Sequence, residues 1–149
     1  MLDVTQYMNS THQGENATKL TPVPAGEYKA VIQDVELESL AGKKDVSKVY
    51  LKCVVTHLLD DTSLRDLLKR EKVTIRQDFL VDLTESGAID FSKDKNIRLG
   101  RLRAACGLND PQTPWSFPMF KGRVIKVKVG HEMYEGEPQA KVFNTVALA

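Results

Sequence analysis

The residues able to do chemistry in this chain are mostly cations, and they fall on one parity of strand-like runs. Lys52 stands in the run 49–56, Lys72 and Arg76 in the run 72–83, and Lys126 and Lys128 in the run 123–129. The opposite parity of each run is largely Val, Leu, Ile, Phe or Cys, the alternation of a half-buried strand. These five cations therefore read as outward-facing. Lys43 and Lys44 occupy the turn before the run 49–56. Tyr50 shares the outward parity of that run, Tyr134 lies on the hairpin between the last two runs, and Trp115 lies in a proline-rich loop, 109–120. Cations spaced along strands can track phosphates, and flat side chains can stack bases at about 1–3 kcal/mol each. A plainer reading of the same residues is solubility. Lysines on an exposed strand discourage edge pairing, Tyr50 can pack under a loop, and Trp115 with Phe117 can close the end of a core.

Other chemistries find little to stand on. The chain has no GxGxxG, no Walker-type loop, no HExxH and no GxSxG. His12, His57 and His131 are scattered, and no Cys or His pair has the spacing of zinc ligands. His57 and His131 together with carboxylates are one metal arrangement in view, and the pair Asp60-Asp61 is another. Asp60-Asp61 reads as helix capping or solvation. Asp78 and Asp82 share the polar parity of one run and could hold a divalent cation or simply be solvated. Arg98, Arg101 and Arg103 read as a solvated helix face. No cofactor and no catalytic residue is expected.

The elements that must position these residues follow from periodicity. Strands are predicted over 27–37, 49–56, 72–83, 123–129 and 141–146, with one helix over 96–106 between the third and fourth. In the first strand the apolar parity switches between Ile32 and Val35, which requires a bulge or strong coiling. Leu64, Leu67 and Leu68 after Asp60-Asp61-Thr62-Ser63 predict a short helical insertion between the second and third strands. In the helix, Leu99, Leu102 and Cys106 form a core-facing stripe that Gly107 ends. In the last strand Val142 and Phe143 compete for the core. Residues 1–24 are polar and read as a loose lead-in to a domain spanning 25–149. The fold class is all-β with one main helix. Strand-strand-strand-helix-strand-strand is the order of a five-stranded OB-type Greek-key barrel.

Composition sets bounds. A chain of 149 residues is one domain. With 42% hydrophobic and 28% charged residues it has the make-up of an ordinary globular protein. The formal net charge is +1, so attraction to a polyanion has to come from local placement of Lys and Arg. Cys53 and Cys106 both fall on apolar positions and read as buried thiols, which suits a reducing compartment. No apolar run approaches the roughly 20 residues of a membrane span, and no signal peptide is visible. The expected location is the cytoplasm.

Two segments carry a family resemblance. Pro24-Ala25-Gly26-Glu27-Tyr28-Lys29-Ala30-Val31-Ile32 resembles the opening strand of phage-encoded single-stranded DNA-binding proteins. Lys95-Asn96-Ile97-Arg98-Leu99-Gly100-Arg101-Leu102-Arg103-Ala104-Ala105-Cys106-Gly107-Leu108 is similar to the helix such proteins carry, and Lys121-Gly122 with the strand 123–129 follows in the same order. The resemblance spans about residues 22–147. It implies an OB barrel that coats single strands in phage replication or recombination, alone or as a homo-oligomer, beside other replication or recombination proteins. Many such binders end in an acidic tail, whereas this chain ends Phe143-Asn144-Thr145-Val146-Ala147-Leu148-Ala149. Two further readings stay open: an accessory barrel that binds protein, and a metal-dependent nuclease using Asp78 and Asp82.

Overall fold

Alternating runs of apolar and polar residues bury one face of a sheet, and here five of them share a single antiparallel sheet. The computed structural model describes residues 1–42 and 48–148. The strands are β1 (Gly26–Ala41), β2 (Val49–Leu59), β3 (Thr74–Val81), β4 (Val124–Tyr134) and β5 (Glu137–Ala147), in the spatial order β3-β2-β1-β4-β5. Helix α1 (Val4–Asn9) precedes the sheet, and helices α2 (Thr62–Leu68) and α3 (Ile97–Ala105), with a 3-10 turn at Phe117–Phe120, occupy the connections. The order strand-strand-strand-helix-strand-strand matches the sequence reading, as does α2. Asp61 proves to be its cap, its carboxylate accepting from Leu64 N at 2.9 Å.

β1 serves two neighbours. Its first residues, from Gly26 to Val31, pair with β4, and the stretch from Ala30 to Ala41 pairs with β2. The register slips between Ile32 and Asp34, so Ala30 and Ile32 before the slip and Val35 after it all face the core. The parity switch in the sequence is this bulge. β5 has its own slip, opposite Lys128 and Val129, where Phe143 is left without a partner. Val142 and Thr145 turn inward at 6% and 3% exposure while Phe143 stays outside at 52%. That settles which of Val142 and Phe143 takes the core.

Ile32, Cys53, Val55, Leu59, Leu102, Phe120, Ile125 and Val127 are fully buried. Both cysteines are free and buried. Leu67, grouped with Leu64 and Leu68 on the helical spacing, is instead exposed. Val54 departs from alternation: it is buried on the outward parity, between its cross-strand partners Glu36 and Asp78. Lys72 stands outside β3, which begins at Thr74, and is exposed ahead of the strand.

His57, weighed above as a metal ligand, is a core residue. It is 0% exposed, and its Nε2 donates to Gln77 Oε1 at 2.8 Å across the β2–β3 pair. This bond explains why Gln77 interrupts the apolar parity of β3. His131 Nε2 donates instead to Val23 O at 2.7 Å. With Tyr28 OH on Pro24 O and an Arg70 guanidinium on Thr21 O, it ties the end of the N-terminal segment to the sheet. Residues 1–20 are exposed, and the six-residue α1 within them is not visible in the sequence pattern. Among the described residues no group of three His, Cys, Asp or Glu side chains is placed to hold a metal ion. No helix among them is long and apolar enough to cross a membrane.

Candidate nucleic-acid interface

The face predicted to carry ligand is the outward side of β2 and β3, and the register gives its composition. β2 contributes Tyr50, Lys52, Val54 and Thr56. β3 contributes Arg76, Asp78 and Leu80, and β1 contributes Asp34, Glu36, Glu38 and Leu40. Four carboxylates thus share this surface with two cations. Asp78 draws on both cations: its Oδ2 lies 3.2 Å from Lys52 Nζ and 3.7 Å from Arg76 Nη2. Tyr50 is 42% exposed beside its partner Leu40, at the end of the hairpin, and Leu80 is exposed nearby. Lys43 and Lys44 lie outside the described residues.

The other predicted residues are dispersed. Lys126 and Lys128 face outward on β4, two strands away from β2 in the sheet order. Lys126 Nζ is 3.8 Å from Glu27 Oε2. Tyr134 ends β4 at a tight turn formed by Glu135 and Gly136, both at positive φ, and is 60% exposed. Trp115 is half-buried and packs edge-on to Phe117, with ring centroids 5.0 Å apart, and against Phe120 at 5.8 Å. It caps the core.

A denser basic site lies where β3, α3 and β5 converge. Arg76 from β3, Arg98 and Arg101 from α3, and Lys141 from β5 line one groove of about 120 Å³, with Phe143 and Asp78. At 3.6 residues per turn the buried stripe of α3, Leu99–Leu102–Ala105, leaves Arg98 and Arg101 together on one flank. Both are exposed. Among the described residues neither pairs with a carboxylate, whereas Lys141 Nζ meets Glu132 Oε2 at 2.9 Å. The helix is held in place by Asn96. Its amide accepts from Asp82 N at 2.7 Å and donates to Asp82 O at 2.9 Å and Asp90 O at 3.0 Å, while Asn96 N donates to Asp82 Oδ2 at 2.8 Å. Asp82 is therefore a helix anchor. Asp78, four residues away along an extended strand, stands roughly 13 Å off, too far to share one metal ion with it.

Phe143 gives the groove its flat surface. Gly130 of β4 lies beneath it so closely that a Cβ there would overlap the ring, and Lys141 Nζ is 5.9 Å from the ring centroid. Lys128 sits beside the groove as the cross-strand partner of Asn144, which lines it. Of the ten residues singled out from sequence, Arg76 lines the groove and Lys128 borders it. The reading missed the site-forming role of Arg98, Arg101, Lys141 and Phe143. Two signals were present: i,i+3 spacing puts Arg98 and Arg101 on one helix flank, and i,i+2 spacing puts Lys141 and Phe143 on one strand face. Comparison with known proteins adds no family: no protein-family model and no curated protein matches the chain.

Proposed function

We propose that this protein is a non-catalytic OB-type barrel that binds single-stranded DNA with little regard to sequence, and that the strand runs through the groove between β3, α3 and β5. The observation that carries the reading is the convergence of Arg76, Arg98, Arg101 and Lys141 on the exposed ring of Phe143. Four cations supply phosphate contacts, and one unshielded aromatic supplies a stacking platform. The barrel is supported by the double pairing of β1 with β2 and β4 and by the approach of β3 to β5 beside α3. The residues that resemble phage single-strand binders direct the role toward phage replication or recombination.

The test is a fluorescence-anisotropy titration of labelled oligo-dT at several salt concentrations. The plot of log affinity against log salt should fall with a slope of about −3, from about −0.7 per phosphate over four contacts. Replacing Arg98 and Arg101 together by Ala should weaken binding and make the slope shallower by about 1.4. No binding at low salt ends the proposal.

One observation favours a second reading, an accessory barrel that binds protein. Leu40, Tyr50 and Leu80 are exposed together on the outward face of β1, β2 and β3, among Asp34, Glu36 and Glu38. A stable complex with a host or phage protein in the absence of DNA, abolished by Leu80→Lys, would favour it.

A further inference from the structure

Arg103 is the one lysine or arginine buried among the described residues, at 8% exposure, and among those residues no carboxylate pairs with it. Its position follows from the way α3 ends. Gly107 adopts φ +72°, Leu108 N donates to Arg103 O at 2.7 Å and Gly107 N donates to Ala104 O at 3.1 Å, a Schellman motif. That turn brings Leu108 O within 3.0 Å of Arg103 Nε, which donates to it. The guanidinium carbon lies 4.3 Å from the Trp115 ring centroid and 6.0 Å from that of Phe91. Among the described residues the two Nη groups have no acceptor.

Burial of the side chain holds this guanidinium below its ordinary pKa, but its Nη groups are not sealed inside the protein and stay open to an acceptor from outside. Its cation–π contact with Trp115 fixes its orientation. The guanidinium lines an open cavity of about 610 Å³ whose walls include Pro111 and Pro114, with Phe91 72% exposed. The one carboxylate in the lining, Asp110, is turned to its own loop: it accepts from Gln112 N at 2.9 Å and Thr113 Oγ1 at 3.0 Å.

We propose that this pocket binds the free C-terminal carboxylate of a partner peptide whose last side chain is apolar or aromatic. Arg103 presents a fork of donors for one carboxylate, the geometry guanidinium suits best. Trp115, Phe91 and the two prolines surround it with apolar surface for the side chain. A polyphosphate backbone fits poorly, because one cation and one carboxylate line this pocket and a nucleic-acid track needs several cations. Arg103 also lies on the opposite flank of the α3 stripe from Arg98 and Arg101, so this pocket and the basic groove are separate. The inference does not depend on the single-strand reading.

Trp115 is the sole tryptophan, so its fluorescence reports on this pocket. The full-length protein is titrated with N-acetyl-Leu-Phe bearing a free carboxylate and with the same dipeptide as its C-terminal amide. A saturable change with the acid is expected, with the amide weaker by about tenfold or more, the size of a lost charge-assisted hydrogen bond. Arg103→Gln should abolish the response to the acid. Phe91→Ala, at an exposed position, should weaken it several-fold without moving the thermal transition, and keeps the test decisive if Arg103→Gln fails to fold. Arg98→Ala with Arg101→Ala should leave it unchanged. Equal response to acid and amide, no response at millimolar acid, or full binding by Phe91→Ala overturns the proposal. So does displacement of the peptide by oligo-dT, which would make the pocket part of a nucleic-acid path.

Discussion

His57 stands wholly inside the core with Nε2 bonded to Gln77 and Nδ1 buried without a partner among the described residues. A second proton would place an uncompensated charge among apolar side chains. Burial therefore lowers its pKa below the ordinary 6.5, while the Gln77 bond opposes the shift more weakly. Below that value the unfolded chain binds the proton and the folded chain resists it. Stability is thus intact at neutral pH and falls as pH drops from 6.5 toward the folded pKa, by up to about 1.4 kcal/mol per pH unit. Thermal transitions measured between about pH 7.5 and about pH 5 should show this slope, and His57→Gln should flatten it. An unchanged slope in the variant would assign the acid sensitivity elsewhere. Burial also pushes the Cys53 thiol up to about 12 and the Cys106 thiol to about 11, so both are packing groups at neutral pH. That much is legible from sequence, because a cysteine on an apolar parity is nearly always a small core residue. The destiny of His57 is not, since only the β2–β3 register sets it diagonally near Gln77 and away from water.

At the scale of elements, two devices shape the groove. Asn96 anchors the start of α3 to the residues that follow β3, which aims Arg98 and Arg101 at β5. The slip in β5 leaves Phe143 unpaired and lays its ring over Gly130. Gly130→Ala should displace that ring. Because the ring is half-exposed and free to swing outward, the thermal midpoint should barely move. Affinity for oligo-dT should drop about as far as in Phe143→Ala, by about tenfold, within the 1–3 kcal/mol range of one stacked base. A large loss of thermal stability instead would show Phe143 to be a structural lid over β4 rather than a stacking surface. The alternation in the sequence locates β5, but it cannot show a slip of one residue: 142 and 145 both face inward only because β4 and β5 fall out of register there.

Across the whole molecule, a net charge of +1 hides a strong separation. The outward side of β1 and β2 carries Asp34, Glu36 and Glu38 against Lys52, the groove at β3, α3 and β5 gathers Arg98, Arg101 and Lys141, and Arg76 and Asp78 stand on the border between the two. Tyr50 lies six residues along β2 from the Thr56 that pairs with Arg76, roughly 20 Å of extended strand. Tyr50→Ala should therefore cost far less oligo-dT affinity than Phe143→Ala in the same anisotropy titration. The reverse order would move the strand to the β2–β3 face. Period and turn chemistry alone place the five strands, the parities of the first four, the bulge in β1, the amphipathic α3 and the outward direction of most cations, because each is a local matter. Which outward residues become neighbours is settled only once the chain is folded. Strand pairing and the docking of α3 join positions as far apart as Arg76 and Phe143, and a gathering of like charges from such separations leaves no mark in local periodicity.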